Sequence, residues 1–156
     1  LVQAKAVYPS IRAVAFGSRP PTGIVNLPAW IEFQHNPPQE SLRDIYSECI
    51  AWLFGSRAEG FGLPILEAMA CKTPVIGSST GAATDLISER CGYLIPTEDP
   101  DAMAQRIVSF VEMGTDEWVR KSEAAYQIAC SNDWNSSATE LEELLFRTLK
   151  DHQIQT

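Results

Sequence analysis

The sequence predicts an α/β protein, a Rossmann-like parallel sheet with helices on both faces and a C-terminal helical tail. Three observations carry that expectation. Short apolar runs alternate with helix-patterned segments, in the order strand–helix–strand. The runs are apolar at successive positions rather than alternate ones, as strands covered on both faces are. After residue 100 only helix-period patterns occur.

Residues 1–10 (LVQAKAVYPS) read as the tail of a helix stopped at Pro9, because the residue before a proline is pushed out of helical geometry. A chain that opens inside a helix is expected to be an excised domain. Residues 11–16 (IRAVAF) form a strand pattern closed by Gly17-Ser18. The turn-rich SRPPTG (18–23) leads to a second run at 30–33 (WIEF), and HNPPQ (35–39) is another loop. Leu42, Ile45, Tyr46 and Cys49 share one helix face, with Ser41-x-x-Asp44 as a capping pair. IAWLF (50–54) is a continuous apolar strand.

Residues 55–71 (GSRAEGFGLPILEAMAC) pass from a glycine loop into a helix with Pro64 in its first turn, where a missing N–H costs nothing. PVIG (74–77) is a strand, SSTGA (78–82) a loop, ATDLISE (83–89) a short helix, and YLI (93–95) a strand closed by Pro96. Asp99 caps a helix with Pro100 at its first position and Gly114 as its end. A helix over 116–130 follows. Ser137-x-x-Glu140 caps the last one, in which Leu141, Leu144, Leu145 and Leu149 make a stripe. The helices after residue 100 are expected on one side of the sheet.

At 156 residues, with 45% apolar and 21% charged side chains, the chain fits one globular domain, 1–156. No run reaches the ~18–20 apolar residues of a membrane helix. Twelve Lys+Arg against 20 Asp+Glu give a net charge of −8, which disfavours nucleic acid and anionic membranes as partners. The four cysteines (49, 71, 91 and 130) make no CxxC and there are two histidines, so no metal site is expected. Four small buried thiols are the expectation, in keeping with a cytoplasmic protein.

Ligands of open α/β sheets bind at the carboxyl ends of strands. Residues 54–67 span such a junction. Gly60 and Gly62 let backbone approach a ligand closely, and the turn feeds the N-terminus of a helix beginning near Leu63. A helix N-terminus offers unpaired N–H groups and partial positive charge, so an acidic protein can bind a diphosphate there. Glu59 and Glu67 bracket the element, and carboxylates accept hydrogen bonds from vicinal diols. From spacing alone, a dipole-favoured acid at Glu67 and a solvated loop charge at Glu59 remain open. A dehydrogenase is disfavoured, because GSRPPTG replaces the GxGxxG of a dinucleotide fingerprint.

The string Glu59-Gly60-Phe61-Gly62-Leu63-Pro64-Ile65-Leu66-Glu67-Ala68-Met69-Ala70, followed by Thr73-Pro74-Val75-Ile76, resembles the signature of the GT4-type (group 1) retaining glycosyltransferases. Two acids with seven residues between them mark that family. Ser56, Tyr46, Gly81, Gly92, Pro96, Asp99-Pro100 and Trp134 agree with its pattern, so the likeness spans most of residues 11–149. The resemblance implies one half of a GT-B fold, the C-terminal domain that binds a nucleotide-sugar donor. It implies transfer of a hexosyl group from a UDP-, GDP- or ADP-sugar to a glycan, lipid or small-molecule acceptor, without metal or other cofactor. A bacterial cytoplasmic enzyme of polysaccharide biosynthesis is expected, with attachment to the inner face of the membrane open to the full-length form. The other reading is a non-catalytic nucleotide- or sugar-binding module with a degenerate site.

Carried over by position, Glu67 would bind the donor ribose and Glu59 the hydroxyls of the transferred sugar near its reacting face. Backbone at Gly60, Phe61, Gly62 and Leu63 would hold sugar and diphosphate, and Gly17, Ser18 and Gly81 would line the cleft. Gln34, His35 and Asn36 are candidates for the base. Three departures stand out. Lys72 occupies a helix-end position where the family has a positive-φ glycine. Asp85 replaces a longer acid, and Gly55 replaces the proline before the family serine. The family's basic strand–loop element that grips the diphosphate, and its N-terminal acceptor domain, are not in these residues. Arg57 and Arg19 are the nearby bases, with solvated loop arginines as the alternative. The isolated chain is therefore expected to bind donor weakly and to lack turnover.

Overall fold

The structure, a computed structural model, describes residues 1–21 and 27–153. Thr22 and Gly23, the end of the SRPPTG loop, lie outside the described residues. Five parallel strands alternate with helices: α1 (Val2–Val7), β1 (Ala13–Gly17), β2 (Ile31–His35), α2 (Gln39–Ser47), β3 (Trp52–Phe54), α3 (Leu63–Ala70), β4 (Val75–Ser78), α4 (Ala83–Leu86), β5 (Gly92–Ile95), α5 (Pro100–Glu112), α6 (Thr115–Ser131) and α7 (Trp134–Gln153).

The strands form two ladders, β1–β2 and β3–β4–β5, and every pairing is parallel. The two meet through side chains: Phe16 of β1 lies 5.4 Å from Trp52 of β3 and 5.7 Å from Tyr46 of α2. The Trp52 indole N–H is buried there and has no partner among the described residues.

β4 runs one residue later than the PVIG expectation and is buried at all four positions, Ser78 included. Successive side chains of a strand point to opposite faces, so Val75 and Ile76 enter different cores. On the Val75 face lie Tyr46 of α2, Ile65 and Met69 of α3, Ala83 and Leu86 of α4, and Ala125 of α6. On the Ile76 face lie Ala4 of α1 with Ile107 and Phe110 of α5. The helices after residue 100 thus divide between the two faces instead of sharing one. α7 joins neither core, and its expected stripe is exposed, with Leu141, Leu144, Leu145 and Leu149 each near 60%.

Two capping expectations are corrected. α2 starts at Gln39, two residues before Ser41, because the extended Pro38 already sets the chain into the helix. α7 starts at Trp134, where the Asp133 carboxylate accepts the Ser136 N–H (2.7 Å). Ser137 donates back to the Asp133 carbonyl instead of capping. Asp99 does cap α5, accepting the Ala102 N–H at 2.8 Å. Gly114 opens α6 rather than ending α5. Lys72 takes the left-handed turn (φ 61°) expected of a glycine position. Of the four thiols only Cys91 is buried; Cys49 and Cys71 are half-buried and Cys130 is exposed.

Candidate functional site

Parallel pairing brings the carboxyl ends of the strands to one edge of each ladder, and the β3–α3 loop leaves from that edge. Its root is pinned from β4. The buried Ser78 hydroxyl is 2.6 Å from the Ser56 carbonyl and 3.2 Å from that of Phe54. Ser56 in turn donates to Glu59 Oε1 at 2.6 Å, which fixes one oxygen of an otherwise exposed carboxylate. Gly60 is open to solvent, with nothing within 4 Å of where a Cβ would stand.

Gly62 is the N-cap of α3 and has φ +94°. A Cβ there would sit 2.9 Å from the Phe54 ring, so both the turn and its packing require glycine. No side chain caps this helix. Among the described residues the N–H groups of Phe61, Gly62 and Leu63 have no acceptor, and Pro64 has no N–H to offer. Three adjacent amides at a positive helix end are an arrangement able to hold an anion.

The loop after β4 backs this turn. Ala82 N–H donates to the Phe61 carbonyl (3.0 Å), and Gly81, at φ +54°, lies against Glu59 and Phe61. A Cβ at Gly81 would be 2.9 Å from the Phe61 oxygen. Gly81, Glu59 and Phe61 are therefore one assembly.

Glu67 sits one turn into α3, half-buried, and accepts the Tyr46 hydroxyl on Oε2 at 2.9 Å. Burial, and then that hydrogen bond, push the Tyr46 hydroxyl far above the ordinary phenol range, so it stays a donor. Among the described residues the other oxygen of Glu67 has no donor.

At the ends of β1 and β2, Gly17 and His35 are register partners. The Asn36 N–H donates to the Gly17 carbonyl (2.9 Å), and His35 Nε2 lies 3.1 Å from the Ser18 carbonyl. Gly17, Ser18, His35 and Asn36 come together at this end. Gln34 donates to Glu32 along the strand, away from that cluster. Phe16, next to Gly17, packs edge-on to Tyr46 and so ties this end to Glu67. Arg57 pairs with Glu98 at 2.8 Å, which turns it toward the β5–α5 loop; Arg19 is exposed. Two residues were missed as parts of the site, Tyr46 and Ser56. Both lie in the family pattern; Tyr46 reaches Glu67 from another helix, whereas Ser56 reaches Glu59 within the same loop.

The family model for group 1 glycosyl transferases matches residues 24–130. The chain belongs to the group 1 glycosyltransferases. It is 33% identical over 89 residues to the O-antigen chain mannosyltransferase B of Escherichia coli, covering 57% of this chain and 23% of that protein. Over 124 residues it is 31% identical to the D-inositol 3-phosphate glycosyltransferase of Streptomyces scabiei, covering 79% and 28%. The sucrose-phosphate synthase structure from Thermosynechococcus elongatus superposes with a TM-score of 0.78 at 25% identity, over 96% of this chain and 41% of that one. The chain thus spans about a quarter of the length of these curated relatives, and its fold is one half of a GT-B glycosyltransferase. Among the described residues no group of three His, Cys, Asp or Glu converges, and no helix is long and apolar enough to cross a membrane.

Proposed function

We propose that this chain is the donor-binding domain of a retaining glycosyltransferase that moves a hexosyl group from a nucleoside-diphosphate sugar to an acceptor hydroxyl. One observation carries the reading. Three unpartnered amides at the start of α3 lie between two carboxylates, each already held on one oxygen by its own hydroxyl donor.

The amides of Phe61, Gly62 and Leu63 hold the diphosphate, and the bare Gly60 backbone lets it approach. Glu67 accepts the ribose hydroxyls. Glu59 accepts hydroxyls of the sugar, and Gly81 holds the loop from behind. Gly17 and Ser18 close the far wall, with His35 and Asn36 nearest the base. In the transfer the bond from anomeric carbon to diphosphate oxygen breaks and the electron pair leaves with the diphosphate. The helix-end N–H groups meet that growing charge, and they are oriented before the reaction begins. The acceptor oxygen bonds the same face of the sugar and its proton passes to the departing phosphate, which retains configuration. The reading requires no metal or other cofactor.

In this reading a further strand belongs at the joint between β1 and β3. Among the described residues β1 pairs only with β2 and β3 only with β4, so each has one edge without a ladder partner, and Phe16 and Trp52 pack where the two ladders meet. A strand–loop from upstream, entering there, would bring its basic residues to the diphosphate. The exposed stripe of α7 likewise suits a second lobe that carries the acceptor. The 156 residues alone are thus expected to bind donor weakly and to show no turnover.

Glu67→Ala tests the ribose contact. Titrating UDP, GDP and ADP into the chain by NMR, the variant's Kd for the preferred nucleotide rises about tenfold or more, the worth of hydrogen bonds to a charged acceptor. An unchanged Kd contradicts the assignment.

A further inference from the structure

Glu67 is a flexible side chain with two equivalent oxygens, and a diol asks for one orientation of them. Its partner is held unusually firmly. Tyr46 is 2% exposed. Its ring lies edge-on to Trp52 at 4.9 Å and to Phe16 at 5.7 Å. Its own carbonyl accepts the buried Thr73 hydroxyl at 2.7 Å. Elements α2, β1, β3 and the turn before β4 therefore all fix where the phenol points, and it points at Glu67 Oε2.

We propose that Tyr46 is a positioning residue for nucleotide recognition, orienting the Glu67 carboxylate so that it accepts from both hydroxyls of a ribose. This rests on the reading that Glu67 binds the ribose. Oε2 keeps a second lone pair beside the one Tyr46 occupies, and Oε1 is free of protein donors among the described residues. Two adjacent acceptors on one carboxylate match a vicinal diol. A free glutamate would have to be ordered on binding, at a cost of about 0.5–1.5 kcal/mol for one such side chain, or about two- to twelvefold in Kd. Tyr46 removes that cost before the ligand arrives. The bland account is that Tyr46 only needs an acceptor for its own buried hydroxyl, and that Glu67 supplies it.

A cycle on the ligand separates the two. UDP, GDP and ADP are each titrated against their 2′,3′-dideoxyribose counterparts, with the unaltered chain, Tyr46→Phe and Glu67→Ala. The unaltered chain prefers the ribose form. Tyr46→Phe weakens ribose-form binding about three- to tenfold and leaves dideoxy binding unchanged, while Glu67→Ala removes the preference. If Tyr46→Phe changes both forms equally, or neither, while Glu67→Ala still removes the preference, the positioning role fails and the ribose reading stands. If Glu67→Ala keeps the preference, or no nucleotide binds the unaltered chain, that reading fails and this inference with it. A second measurement needs no variant: in the unaltered chain the Tyr46 ring Cζ resonance shifts on adding the ribose form and not the dideoxy form. Absence of that difference overturns the proposal even where Tyr46→Phe does not fold.

Discussion

Replacing Glu59 by alanine, in a form of the transferase that carries its acceptor lobe, lowers kcat about a hundredfold while the donor Kd stays within about threefold. The split follows from position. Glu59 is on the loop rather than in the helix, and Ser56 holds one of its oxygens at 2.6 Å. Its other oxygen faces the sugar end of the site in the proposed pose, where positive charge grows only as the bond to the diphosphate breaks. A carboxylate fixed there is worth most in the transition state and little in the ground state. Ser56→Ala frees the carboxylate and gives a smaller loss of the same kind. Steady-state rates with donor affinity measured separately check both. A Glu59→Ala enzyme that loses affinity and keeps kcat places Glu59 with the binding groups instead.

Gly92→Ala destabilises the chain by about 3 kcal/mol or more. Gly92 is the register partner of Val75, and a Cβ on it would stand 2.0 Å from the Val75 carbonyl oxygen. That neighbour is backbone of the fully buried strand β4, so it cannot swing aside as a side chain would. β5 would have to move off β4, and the Ser79–Ile95 contacts at the site edge would move with it: the Ser79 N–H and hydroxyl both donate to the Ile95 carbonyl at 2.9 Å. Gly55→Ala is the matched control, since nothing lies within 4 Å of its added carbon; its stability stays within about 0.5 kcal/mol. Urea unfolding of the two variants reads the difference. Equal midpoints contradict the packing.

The fold was legible because buried parallel strands carry a plain signal: the apolar Val75-Ile76-Gly77 marks β4, which is buried throughout. The Asp99-Pro100 start of α5 was legible for a local reason, a cap three residues from the amide it accepts. Ser41 and Ser137 misled because a serine followed by an acid is frequent inside helices, and Pro38 and Asp133 start α2 and α7 earlier. The placing of α5 and α6 on opposite faces depends on which helix covers which strand, which no local pattern records. At the site, the glycine turn and its two acids stand within nine residues and were readable together. Tyr46 lies 21 residues before Glu67, and their meeting depends on how α2 packs on α3. That β1 and β3 each have one edge without a ladder partner among the described residues is likewise a property of pairing, visible only in three dimensions.

The most direct test is amide NMR of the 156-residue chain during addition of UDP, GDP or ADP. Grip of the diphosphate by the turn ahead of α3 predicts that the Phe61, Gly62 and Leu63 amides move first and furthest for one of the three. Saturating additions that leave those three resonances in place, or that move only residues remote from them, would contradict it.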